Sequence, residues 1–134
     1  MQKITPYHLK IDIEEIEYIS GPNPCFEIYF AATDKRKYKL IFDNVWDLRY
    51  SIEITSVERF IHFRENSPEW TEDNGIYLIE DSDYIKYFTE QTFGAYPTDE
   101  LKHYLVHDAI DTILDILGNR EPLLVRLPDE VMDD

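Results

Sequence analysis

Within the first 52 residues, apolar and polar side chains alternate in four successive runs, and that periodicity leaves few folds open. Leu9, Ile11 and Ile13 alternate with charged residues, after which the phase slips through Glu14 and Glu15 to Ile16 and Tyr18, as in a bulged strand. Phe26, Ile28 and Phe30 form a second run, Tyr38 to Phe42 a third, and Trp46, Leu48, Tyr50 and Ile52 a fourth. A period of two places each apolar set on one face of a strand. Turn residues at 20–24, 33–34 and 43–44 separate the runs. Connections this short join antiparallel neighbours, so the expectation is a four-strand meander with one buried face.

Beyond Ile52 the pattern changes. Thr55, Ser56 and Glu58 suit a helix start of capping-box type, and Val57, Phe60, Ile61 and Phe63 follow at spacings that suit a short helix packed on the sheet. Residues 66–75 read as a polar loop and 76–79 as a short strand. Ser82 or Asp83 then caps a helix carrying Tyr84, Ile85, Phe88 and Tyr87, broken at 94–98. Residues 101–117 fit either one long helix or, as preferred, a strand over 101–107 and a helix over 109–117. In the second reading Asp108 caps the helix, Ile110, Ile113, Leu114 and Leu117 form its stripe, and Gly118 stops it. A last strand covers 123–127, and 128–134 is an acidic tail expected to fray. The whole is expected to be a single α+β domain: an antiparallel sheet with two or three short helices against it.

Length and composition agree with one such domain: 134 residues, 43% hydrophobic and 14% aromatic, enough large apolar side chains to offset the entropy of ordering. No apolar run approaches the roughly 20 residues that span a bilayer, and the amino terminus lacks the apolar core of a signal peptide. The one cysteine, Cys25, sits at a strand start without nearby His, Lys or Arg and reads as a small packed side chain rather than a reactive thiol. These features place the protein in a cytoplasm.

Charge is the strongest guide to partners. The formal net charge is −15, and it is unevenly spread. Residues 1–64 carry ten acids and nine bases, residues 65–100 ten acids against Lys86 alone, and residues 101–134 eight acids and three bases. Nucleic acids and anionic membranes both ask for Lys and Arg, so neither is an expected partner. A one-sign field over the second half suits a basic protein. Glu65, Glu69, Glu72, Asp73, Glu80, Asp81, Asp83 and Glu90 surround Trp70, Tyr84 and Tyr87 in sequence, giving aromatic anchors within an acidic rim. Of the rings in this stretch, Tyr77 and Phe88 are expected inside, Trp70 and Tyr87 outside. Lys35, Arg36, Lys37 and Lys39 crowd one turn, where they would keep a hairpin edge soluble.

Catalytic patterns are sparse. His103, His107 and Asp111 would share one helix face at a spacing that suits zinc or iron, though no Glu stands where a zinc-protease motif needs one. Asp81 and Asp83 open like a calcium loop, but Ile85 and Lys86 occupy the next ligand and glycine positions. No nucleophile elbow or phosphate-cradling glycine loop occurs, and no cofactor is expected.

The segment 38–50, Tyr-Lys-Leu-Ile-Phe-Asp-Asn-Val-Trp-Asp-Leu-Arg-Tyr, resembles stretches in small acidic bacterial immunity proteins. So does 101–117 followed by Glu121 and Pro122, the two together making about a quarter of the chain. Those proteins accompany contact-dependent, cell-wall-associated toxins of Gram-positive bacteria. The resemblance implies a cytoplasmic inhibitor that binds a cognate toxin domain, often a nuclease, with no catalytic residues to carry over. An adaptor for another basic protein is the second expectation, and a small metal-dependent hydrolase at His103, His107 and Asp111 the third.

Overall fold

The computed structural model describes residues 2–52, 57–67, 74–96 and 98–129. Its order is β1 (Lys3–Pro6), β2 (Ile13–Ser20), β3 (Cys25–Ala32), β4 (Lys37–Asp43), β5 (Val45–Ile52), α1 (Val57–Asn66), β6 (Ile76–Glu80), α2 (Asp83–Gln91), β7 (Lys102–His107), β8 (Thr112–Gly118) and β9 (Leu123–Arg126). The fold is α+β with strands predominant, as expected, but the strands form two antiparallel sheets instead of one.

The smaller sheet has the order β2-β3-β4-β9, the larger β1-β6-β7-β8-β5. The meander therefore keeps three of its strands, and its fourth crosses over. The crossing is made at Asn44, which adopts φ 57° and bonds Asn119 through its side-chain amide at 2.8 Å. Asparagine tolerates that left-handed conformation better than most residues. β5 then pairs with β8, from Val45 opposite Gly118 to Ile52 opposite Thr112. The expected bulge is present, with register shifts in β2 between Ile13 and Glu15 and again between Ile16 and Tyr18.

Alternation in β3 buries Phe26, Ile28, Phe30 and Ala32 on one face. These residues join Leu40 and Phe42 of β4 and meet Ile76, Tyr104, Val106, Leu114 and Ile116 of the larger sheet, forming the main core. The opposite face of the larger sheet carries two smaller clusters. Ile4, Tyr77, Ile79, Leu105 and Ile113 lie with Phe60 and Phe63 of α1, while Leu117 lies with Tyr84, Ile85 and Phe88 of α2. Two sheets and a layer of helices result. On α1 only Phe60 and Phe63 pack inward; Val57 and Ile61, expected on the same stripe, are exposed. The capping pair Thr55 and Ser56 lies outside the described residues.

The segment after His107 corrects the helix expected over 109–117. Ala109 to Asp111 form a bend and Thr112–Gly118 is strand β8. Asp108 holds the bend, its carboxylate accepting from the amides of Ile110, Asp111 and Thr112 at 2.9–3.1 Å and from Ile16 of β2 at 2.9 Å. β8 is central and covered on both faces, so Ile113, Leu114, Ile116 and Leu117 are all buried, whereas Ile110 is 60% exposed. A doubly covered strand gives a continuous apolar run that periodicity alone cannot separate from a helix.

Candidate functional site

Where α1 and α2 part over the larger sheet, the floor between them is polar. Arg49 of β5 stands opposite Asp115 of β8, and His103 of β7 lies beside Asp115. His103 Nε2 is 2.6 Å from Asp115 Oδ1, and its Nδ1 is 2.7 Å from the hydroxyl of Ser82, the residue that caps α2. Ser82 Oγ also accepts the amide of Ile85 at 3.1 Å. Arg59 reaches in from α1 and donates to both oxygens of Asp115, at 2.7 Å from Nη1 to Oδ2 and by a short Nη2–Oδ1 contact. Asp115 and His103 are 4% and 2% exposed.

Contacts and burial together set the protons. Nε2–H donates to the Asp115 carboxylate, and in the neutral histidine that burial favours, Nδ1 accepts the Ser82 hydroxyl proton. Burial pushes the His103 pKa down, against the opposing pull of Asp115. Burial alone would raise the Asp115 carboxyl, but hydrogen bonds from Arg59 and His103 outweigh it and hold the group below the usual carboxylate range.

Ser82, His103 and Asp115 stand in the order of a hydrolase relay, yet their geometry suits a clamp. Ser82 is 4% exposed, does not line the cavity beside the network, and gives its oxygen to the helix cap. What the three do, with Arg59, is fasten both helices to one sheet. The adjoining cavity holds about 160 Å³ and is lined by Gln2, Arg49, Arg59, Asp83, Tyr84, His103 and Asp115.

The metal-ligand trio is not assembled. His103 has both nitrogens engaged in the clamp. His107, on the same strand, stacks on Tyr77 with ring centroids 5.7 Å apart, and Asp111 is exposed in the bend before β8. Among the described residues no group of three or more His, Cys, Asp or Glu side chains is placed to hold a metal ion.

Of the acidic-rim residues, Glu65, Glu80, Asp81, Asp83 and Glu90 are exposed, while Glu69, Trp70, Glu72 and Asp73 lie outside the described residues. Tyr84 does not belong to the surface: it is 4% exposed, edge-on to His103 and beneath the Arg49 guanidinium at 3.8 Å. Burial pushes its hydroxyl pKa up, and the nearby Asp47 carboxylate adds to the effect. Tyr87 is half exposed and Tyr77 fully buried, as expected; Phe88 is half-buried against Trp46 and Tyr96. The basic turn is largely neutralised in place, Lys35 pairing with Glu14, Lys37 with Glu17 and Lys39 with Glu27 at 2.8–3.2 Å.

One residue absent from the sequence expectations stands out on this side. α2 ends in a Schellman motif, the amide of Gly94 bonding Thr89 O at 3.0 Å and that of Phe93 bonding Glu90 O at 3.1 Å. The left-handed position of that motif, where glycine is favoured, is held by Phe93 at φ 54°, with its side chain 96% exposed. Its ring therefore stands in solvent on a backbone that disfavours it. Tyr87 and Tyr96 are exposed at 49% and 55% in the same segment, with Asp83, Glu90, Asp99 and Glu100 around them in sequence.

No family model, curated protein or solved structure matches this chain. No helix among the described residues is long and apolar enough to cross a membrane.

Proposed function

We propose that this chain is a binding protein that docks a basic protein on α2 and the turn after it, as an immunity-type inhibitor of a toxin domain. Phe93 carries the reading. A non-glycine residue in the left-handed region costs roughly 1–2 kcal/mol, and a fully exposed ring recovers nothing by packing within the chain. Strain kept without an internal return is a mark of a functional position. Exposed aromatic residues make the anchors of protein interfaces, and a surrounding rim of acids selects a partner of opposite sign and speeds its approach. The net charge of −15 extends that preference over the molecule.

A toxin nuclease fits such a surface, because its substrate groove must be basic to hold phosphate. The test is protection. Co-expression of this chain with the product of the adjacent upstream gene should restore growth that the upstream product alone arrests. Replacing Phe93 by Gly and Tyr96 by Ser together should abolish that rescue at an unchanged level of folded protein. Full rescue by the double variant would remove the α2 surface from the mechanism.

A further inference from the structure

The cavity between α1 and α2 has a surplus of hydrogen-bond donors, and from that surplus we infer a binding site for a small oxyanion, a carboxylate or phosphate group. Both carboxylate oxygens of Asp115 are taken, one by Arg59 and the other shared by Arg59 and His103. Both ring nitrogens of His103 are engaged as well. Gln2 Oε1 accepts the amide of Asp83 at 2.8 Å. Donors remain in excess. Arg49 makes no hydrogen bond or ion pair among the described residues, although its guanidinium lies 3.8 Å over the Tyr84 ring and 5.0 Å from that of Tyr87. Arg59 turns two of its nitrogens to Asp115 and keeps further N–H groups, since a guanidinium carries five.

Arg49 is thus a cation held by aromatic faces at the wall of a cavity, with its planar donor fork unused. Stacking removes part of the freedom that a long side chain would lose on binding. The matching ligand offers two oxygens in one plane, the geometry of bidentate carboxylate or phosphate recognition. The space admits it: the cavity volume of about 160 Å³ is well above the ~10–15 Å³ that, on the same measure, holds one water. The lining balances two arginines, Arg49 and Arg59, against two aspartates, Asp83 and Asp115, and Arg49 is the cation without a paired acid among the described residues. Asp115 is neutralised by Arg59, while Asp83 stands at the rim with its side chain 75% exposed and Lys86 4.0 Å away. The Asp47 carboxylate is also close by, acting on the Tyr84 hydroxyl.

The site borders α2 but does not include Phe93 or Tyr96, and its test needs no protein partner, so its failure is distinguishable from failure of the docking proposed above. The test uses the full chain labelled with nitrogen-15 and titrated with sodium phosphate, and separately with sodium acetate, at ionic strength matched with sodium chloride. We expect saturable shifts of the Arg49 and Gln2 side-chain signals with half-saturation below about 10 mM for at least one of the two anions. Saturation by phosphate alone or acetate alone assigns the oxyanion class within the proposal. Arg49→Gln should weaken binding about tenfold or more, whereas Arg36→Gln, in the turn between β3 and β4, should leave it unchanged. Arg49 is exposed, and an unchanged thermal midpoint will show that the variant is folded. Shifts that only follow chloride, or undiminished binding by folded Arg49→Gln, would overturn the inference. Should that variant fail to fold, Arg49→Lys, which keeps the charge but not the fork, must weaken binding for the proposal to survive.

Discussion

Removing the Ser82 hydroxyl takes away two contacts together, the cap on Ile85 and the partner of His103 Nδ1. Ser82→Ala should cost about 1–3 kcal/mol, read as a lower urea midpoint with an unchanged slope. Asp115→Ala should cost more, about 3–5 kcal/mol, because Arg59 and His103 both lose their counterpart in a buried setting. The clamp also sets a pH dependence. The depressed pKa of His103 means that below its ordinary value of about 6.5 the unfolded chain binds more protons than the folded one. Stability should therefore decline as pH falls below about 6.5, by at most about 1.4 kcal/mol per pH unit for this group. Asp115, also depressed, gives stability that is complete above the unfolded carboxylate value of about 3.9 and is lost as pH falls further, through its lower folded value. Urea midpoints at pH 7 and 5.5 check the upper window, and His103→Gln should flatten the difference between them. Ser82 as a cap was legible from its place before an apolar helical spacing. Asp115 was not, because on a helix with stripe 110, 113, 114 and 117 it points to solvent; only the strand register turns it inward beside His103.

At the level of elements, the segment over 109–118 separates two readings through one pair of side chains. A surface helix would bury Ile110 and spare Ile116; β8 does the reverse, with Ile110 60% exposed and Ile116 fully buried. Ile116→Ala should cost about 2–5 kcal/mol and Ile110→Ala less than about 0.5 kcal/mol, both by equilibrium denaturation. β3 and β4 were readable because each has one covered face and so alternates, whereas β5 departs from the expected single face. A register shift between Val45 and Asp47 sends Trp46 towards α2 and Leu48 into the main core, and Tyr50 and Ile52 are exposed. β8 has two covered faces and does not alternate. The helix α2 was readable from its cap and stripe, but not its ending: Phe93 before Gly94 gives no sign that the left-handed residue is the phenylalanine. Phe93→Gly should leave stability within about 0.5 kcal/mol or raise it, since it relieves strain and removes no packed contact. A marked loss of stability would mean that Phe93 is held within the fold after all.

Across the whole molecule, alternation told which residues of β3 and β4 turn inward but not which sheet the fourth run joins, so the crossing of β5 at Asn44 came only with the structure. The imbalance of charge was legible by counting, and it remains the broadest support for a basic partner. Its effect should be kinetic above all: raising ionic strength should slow association while changing dissociation little. The most direct measurement is calorimetric titration of this chain with the product of the adjacent upstream gene. We expect one-to-one binding with a Kd of about 10 nM or below, weakened about 100-fold or more when Phe93→Gly and Tyr96→Ser are combined. Absence of binding, or binding that the double variant leaves intact, would contradict the assignment of α2 and its following turn as the face that captures a basic partner.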